Sequence, residues 1–159
     1  MAGPSRFVTP NQEFVLRPAE ERDAPRIRAM VRRERLNPMS LNWRHFTLAV
    51  DGGGSVIGCG QVKTVSEGTR ELASLVVETG WRRRGVAGAL IRRLKEEAGP
   101  PLWLTCLSGL APYYASFGFR TVEPDDPQPK YYRRLRRIAG VVGMLAGASQ
   151  TLTVMRWSG

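Results

Sequence analysis

Soft metal ligands are scarce in this chain. Its two cysteines, Cys59 and Cys106, and its single histidine, His45, are too few and too scattered for a zinc site. No metal is therefore expected. Both cysteines stand inside apolar runs and read as small core residues. Neither has the flanking histidine or helix-start setting that would activate a thiolate, so nucleophilic cysteine chemistry is not expected either. Acid is also short: 14 Asp and Glu against 24 Lys and Arg leave a formal charge of +10, an attractive field for anions. Long apolar runs are missing, so no transmembrane segment is expected. The opening stretch MAGPSRFVTPNQEF lacks the apolar region of a secretory signal, which makes the cytoplasm the expected compartment. Residues 1–12, with Gly3, Pro4 and Pro10, read as a flexible leader, and 13–159 as one domain.

What the chain does have is concentrated between Glu71 and Ala98. Leu72, Ala73, Leu75, Val76 and Val77 form a nearly unbroken apolar run of strand length, the pattern of a strand covered on both faces. Thr79 and Gly80 break it. Arg82, Arg83 and Arg84 then bring three positive charges, and Gly85, Ala87 and Gly88 keep the following turn almost free of side chains. Val86, Leu90, Leu94 and Ala98 carry a helix that ends at Gly99 and cannot pass Pro100 and Pro101. The first turn of a helix presents backbone N–H groups without intrahelical partners at the positive end of its dipole, and small residues let a phosphate come close. The stretch is a candidate phosphate cradle.

The remaining elements follow from periodicity and punctuation. Phe14 to Leu16 predict a strand, and Asp23 is expected to cap a helix with Pro25 in its first turn and Ile27, Met30 and Val31 on one face. The arginines at 26, 28, 32, 33 and 35 are expected mostly on the opposite, solvated face. Leu36 to Asn42 is a loop or a short second helix. Phe46–Val50 and Val56–Val65 predict a hairpin across Asp51-Gly52-Gly53-Gly54. A turn at Glu67-Gly68-Thr69 leads into the Glu71 strand. After the glycine-rich helix, Leu102–Leu107 predicts a strand parallel to the Glu71 strand, since one helix crosses between them. A short helix within Ser108–Phe117, a strand at Phe119–Val122, a helix at Lys130–Ala146 and a strand at Thr151–Arg156 complete the chain. The Lys130–Ala146 helix is expected to gather Tyr131, Leu135, Ile138, Val142 and Leu145 on one face. It either packs over the sheet or a partner subunit, or serves as a basic amphipathic helix on an anionic membrane or nucleic acid.

Arg82-Arg83-Arg84-Gly85-Val86-Ala87 resembles the Q/R-x-x-G-x-G/A signature of the GNAT superfamily of acetyl-CoA-dependent N-acetyltransferases. Tyr114-Ala115-Ser116-Phe117-Gly118-Phe119 is similar to that superfamily's Y-x-x-x-G-F segment, and Glu71, six residues before Val77, stands where many members hold a base. The resemblance implies an α/β fold: a mixed, mostly antiparallel sheet flanked by helices, with a splayed parallel strand pair at the acetyl-CoA site. The Lys130–Ala146 helix before the last strand is an addition to that plan.

The resemblance further implies that acetyl-CoA is the cosubstrate, its pyrophosphate on Arg82, Arg83, Arg84, Gly85, Val86, Ala87 and Gly88. Its pantetheine arm would run between the Glu71 and Leu102 strands. Val77 would offer backbone groups to the arm, and Val76 or Val77 an N–H to the thioester carbonyl. Glu71 would be the base that frees the amine of its proton; the competing reading is a strand-end glutamate facing solvent or paired with Arg70 or a neighbouring arginine. Glu78 and Glu67, each at a turn, are weaker candidates. Tyr114 would be the acid that protonates the leaving thiolate, against a core aromatic role, while its neighbour Tyr113 packs. The acceptor is an amine, with a small amine or amino acid favoured over a protein amine. A homodimer is admitted, and nucleic acid is disfavoured as a partner. The competing function is a CoA-binding basic protein without turnover that contacts nucleic acid through the 130–146 helix.

Overall fold

In the computed structural model, residues 13–147 and 149–159 are described; the expected leader at 1–12 lies outside them. The elements are β1 (Phe14–Pro18), α1 (Ala24–Arg33), β2 (Phe46–Asp51), β3 (Val56–Thr64), β4 (Arg70–Val77), α2 (Val86–Ala98), β5 (Leu102–Leu107), α3 (Ala111–Ala115), β6 (Arg120–Thr121), α4 (Lys130–Ala146) and β7 (Leu152–Trp157). Strand order is β1-β2-β3-β4-β5-β7-β6. β4 and β5 are parallel; the described registers of β1 with β2, β2 with β3, and β7 with β5 and β6 are antiparallel. This is the mixed, mostly antiparallel sheet expected from the resemblance. The residues fall into two compact units, one ending at Lys63 and resuming over Leu72–Glu97, the other made of Thr64–Glu71 and Ala98–Gly159.

In the first unit the strands are covered on both faces, which explains why β2 is apolar at nearly every position. Leu48, Val50 and Cys59 pack with Ile27, Met30 and Val31 of α1. Ala49 and Ile57 take the opposite side with Val86, Ala89 and Leu90 of α2. A side chain at Gly58 would put its Cβ 2.9 Å from Val86 Cγ1 and 3.2 Å from the Val76 carbonyl. Glycine there lets α2 press against the strand. The hairpin forms as expected: the Asp51 carboxylate accepts from the Gly53 and Ser55 amides, and Gly54 takes φ 87°. Leu36–Asn42 is a loop rather than a helix.

Asp23 departs from its expected part. It stands at the N-cap of α1, but its side chain does not cap that helix. The carboxylate instead receives both guanidinium nitrogens of Arg17, at 2.7 and 2.9 Å, and the Glu20 amide at 2.7 Å. A charged bidentate partner outcompetes a helix amide.

The second unit carries a lateral row of paired residues. Glu71 pairs with Trp103, Trp103 with Arg156, and Arg156 with Arg120. Partners in register share a face of the sheet. On that row lies Tyr132 of α4, fully buried and stacked on Trp103 at 5.2 Å with the planes 19° apart. Tyr131 and Leu135, on the expected apolar face, pack against the same cluster, whereas Ile138 and Val142, farther along that face, are 63% and 58% exposed, and the Leu145 side chain lies outside what is described.

The Arg17 contact holds the Asp23 carboxyl below its ordinary value of 3.8. Its stabilisation is therefore complete above the unfolded carboxylate range and fades as pH falls below about 3.8 toward the lowered folded value. Asp23→Asn should cost about 2 kcal/mol in urea unfolding at pH 7 and much less at pH 2.5; equal costs at both would remove the ion pair from the account.

Candidate functional site

The turn that ends β4 is held from several sides. Glu78 accepts from Arg26 at 2.6 Å and from Arg33 at 3.0 Å, so two of the α1 arginines, exposed as expected, also hold the strand's exit. Arg82 donates to the Val77 carbonyl at 3.2 Å and to Glu34 at 3.0 Å. Trp81 meets the Phe14 ring edge-on at 6.5 Å, and the Arg84 guanidinium lies 5.0 Å over Trp81 while pairing with Glu13 at 3.0 Å. The three consecutive arginines are thus not equivalent. Arg82 and Arg84 fasten the turn, whereas Arg83 is exposed and makes no ion pair among the described residues.

Two backbone positions take the left-handed region here, Arg83 at φ 62° and Gly85 at φ 81°. A Cβ at Gly85 would meet nothing within 4 Å, so glycine answers the conformation, and the space over it is open. The first intrahelical bond of α2 runs from the Ala89 amide to the Gly85 carbonyl, 3.0 Å. The amides of Val86, Ala87 and Gly88 come before that bond and have no intrahelical acceptor. Open amides, a left-handed glycine and an uncommitted guanidinium together suit a pyrophosphate.

Upstream, the Val76 amide is turned to the sulfur of Cys59, and the Glu78 amide donates to the Ile57 carbonyl at 2.8 Å. By strand alternation the Val77 amide points away from β3. Ser74 sits at φ 55°, its hydroxyl receiving Gln61 Nε2 at 2.9 Å. The Gln61 Oε1 is buried and has no partner among the described residues. Gln61 is a functional candidate that sequence reading missed, because nothing in its neighbours marks it.

Glu71 is 4% exposed, and the Tyr132 hydroxyl donates to its Oε2 at 2.7 Å. The buried carboxylate does not face solvent. The Arg70 guanidinium is directed instead to the carbonyls of Ala98 and Pro100. Burial first, then the Glu71 charge and hydrogen bond, push the Tyr132 phenol far above its ordinary value, so it remains a donor at any working pH. Tyr131 is shifted the same way, by burial and then by Glu71. Tyr132 was also missed, since periodicity favoured its neighbour.

Tyr114 lies on α3, edge-on to Tyr113 at 5.5 Å and to Phe119 at 6.3 Å. Desolvation, with Cys106 and Tyr113 nearby, pushes its phenol up to about 12, and among the described residues its hydroxyl has no hydrogen-bond partner. Tyr113 is 41% exposed and packs edge-on to Phe117 at 5.2 Å. Burial raises both thiols, Cys59 to about 12, which leaves neither as an anionic nucleophile. Cavities among the described residues of the second unit include one of about 830 Å³ beside β6 and β7 and one of about 610 Å³ along α4, neither of them lined by Glu71 or Tyr114.

Residues 42–121, from the loop before β2 to the end of β6, match a family model described as an acetyltransferase (GNAT) domain. The chain belongs to the GNAT acetyltransferase family. No curated protein matches it. Among solved structures, N-acetylglutamate synthase from Neisseria gonorrhoeae, complexed with coenzyme A and N-acetyl-glutamate, superposes with TM-score 0.68 at 23% identity. That alignment covers 92% of this chain but 35% of the synthase, so the chain spans about a third of that relative's length. Rv2747 from Mycobacterium tuberculosis, in complex with CoA, gives 0.64 at 19% identity, covering 88% of this chain and 97% of the other. A GNAT acetyltransferase from Staphylococcus aureus Mu50 gives 0.65 at 10% identity, with 91% and 98% covered. At these identities the likeness is one of GNAT fold.

If the phenol–carboxylate contact ties α4 to the sheet, a double-mutant cycle of Tyr132→Phe and Glu71→Gln should show coupling of about 1 to 3 kcal/mol in urea unfolding. Additive costs would mean that the two groups do not hold each other.

Proposed function

We propose that this GNAT chain is an N-acetyltransferase that moves an acetyl group from acetyl-CoA to a primary amine by direct attack. A small amine or amino acid is favoured over a protein amine. The observation that carries the reading is the Arg82–Gly88 turn: open amides behind a left-handed Gly85, inside the segment that matches the family. Bound there, acetyl-CoA would supply an activated thioester. Arg82 and Arg84 keep the turn in shape, and Arg83, with the amides of Val86, Ala87 and Gly88, binds the pyrophosphate. The Val77 amide polarises the acetyl carbonyl, a part that Val76, turned to Cys59, is less able to take.

Glu71 removes the proton from the amine, with Tyr132 fixing the carboxylate's orientation. Tyr114, whose phenol is raised to about 12 and has no competing partner among the described residues, stays protonated and so hydrogen-bonds, or passes its proton to, the departing sulfur. The N-acetyl-glutamate held by the Neisseria enzyme is an acetylated amino acid, so amino acids head the acceptor panel to be tested.

Coenzyme A should raise the thermal midpoint of the wild-type chain, and Gly85→Val should abolish that rise with the fold retained. An undiminished rise in the variant would place the cosubstrate elsewhere. With an amine panel and thiol release as the readout, Tyr114→Phe should lower kcat by about a hundredfold or more. Glu71→Gln should lower kcat/KM comparably and alter its acidic limb. Stabilisation by coenzyme A without any thiol release would favour the competing reading, a binding protein without turnover.

A further inference from the structure

The second unit leaves one face of α4 uncovered in an unusual way. The helix has no acidic residue over its seventeen positions. Its inward side is occupied by Tyr132 and by Leu135, which packs against the Trp103–Tyr132 cluster. The exposed side chains are, in order, Lys130, Arg133, Arg134 and Arg137, then Ile138, Val141, Val142 and Met144; at 3.6 residues per turn Val141 and Met144 continue the side of the cations, Ile138 flanks it, and Val142 lies one heptad beyond Leu135. All four cations are exposed. The four apolar side chains are 63%, 59%, 58% and 87% exposed. Isolated exposed apolar side chains need no explanation, but four on neighbouring turns, joined to a cationic patch, do.

We propose that this face docks on an anionic lipid surface, with the Ile138–Met144 end dipping past the headgroups while Lys130 and the three arginines bind phosphates. The amphipathicity runs along the helix axis. Cationic and apolar centres lie eight residues apart, about 12 Å along the helix, which matches the depth between a phosphate layer and the upper acyl chains when the helix stands tilted. Long arginine side chains adapt to the remaining mismatch. No helix among the described residues is long and apolar enough to cross a membrane, so the contact is peripheral. Glycines at 140 and 143 would weaken such a helix alone in water. Here packing of Tyr132 and Leu135 on the sheet already holds it.

Other occupants satisfy only half of the face. A second copy of the chain pairing through this same face would set the cationic half against either a cationic or an apolar half, and neither arrangement provides anions. Nucleic acid provides phosphates but no apolar layer for four aliphatic side chains. An anionic bilayer provides both, and its attraction for each cation near the surface adds to the burial of the apolar end.

The test is flotation of the full chain with vesicles of phosphatidylcholine alone, or containing roughly a third phosphatidylserine. The protein should rise with the mixed vesicles and remain below with the neutral ones, and added salt should weaken the association. Val141→Asp with Met144→Asp should reduce partitioning by more than about tenfold. Arg134→Gln with Arg137→Gln should reduce it roughly thirtyfold. Thermal midpoints should be unchanged in both variants, since the altered side chains are exposed. Failure of the wild type to float, or aspartate variants that float like the wild type, would overturn the proposal. So would a dimer that Val141→Asp with Met144→Asp dissociates without any lipid effect, since the face would then belong to a second copy. DNA retention lost in the arginine variant and kept in the aspartate variant, again without flotation, would assign the face to nucleic acid.

Discussion

A carboxylate gripped by two guanidinium groups fixes where β4 gives way to the turn before α2 in the first unit. Glu78 closes β4, and Arg26 and Arg33 of α1 hold its oxygens at 2.6 and 3.0 Å. Neither arginine is near it in sequence. With the strand's exit fixed, the chain has four residues, Arg82 to Gly85, in which to reverse into α2, and it does so through two left-handed positions. Gly58 lets α2 come close enough for Val86 and Leu90 to pack, which fixes the far side of the same turn. A cradle of backbone amides needs such support, because amides recognise phosphate only if they already point at it.

The second unit solves a different problem, how to keep an acid side chain buried. Glu71 is buried, and isolated burial of a carboxylate would be costly. Tyr132 supplies a charge-assisted hydrogen bond, and its ring is itself fixed by stacking on Trp103, the strand partner of Glu71. Sheet register, aromatic stacking and hydrogen bond therefore reinforce one another. α4, an addition to the expected plan of the fold, thereby acquires a definite structural role, since it places a phenol on the carboxylate.

How far the sequence could be read depended on how local each signal was. The strand, turn and helix from Glu71 to Ala98 were legible because apolar run, glycine pattern and the Gly99-Pro100-Pro101 stop lie within thirty residues. The hairpin at Asp51–Gly54 was legible for the same reason. What escaped is set by distant partners. Asp23 looks like a cap until Arg17 is brought to it. Tyr132 and Tyr131 are indistinguishable by hydrophobicity, and only Trp103 and Glu71 select between them. The three arginines from 82 to 84 form one charge run on paper; Glu34, Glu13 and Trp81 divide them into two fasteners and one group open to a ligand.

The excess of positive charge can be read with the same distinction. Arg17, Arg26, Arg33, Arg82 and Arg84 lie against carboxylates of their own unit and serve the fold. A guanidinium committed in this way contributes little to attracting a ligand, since its near field is cancelled. The arginines without such partners therefore matter more than the net charge. Arg83 stands at the opening of the cradle, where a diphosphate is the proposed guest. Arg133, Arg134 and Arg137 stand in a row on α4 next to exposed aliphatic side chains, where a single phosphate group would leave most of the row unmatched. On these proposals one excess of charge would meet two kinds of anion: a compact one at a fixed turn, and an extended one at a helix face.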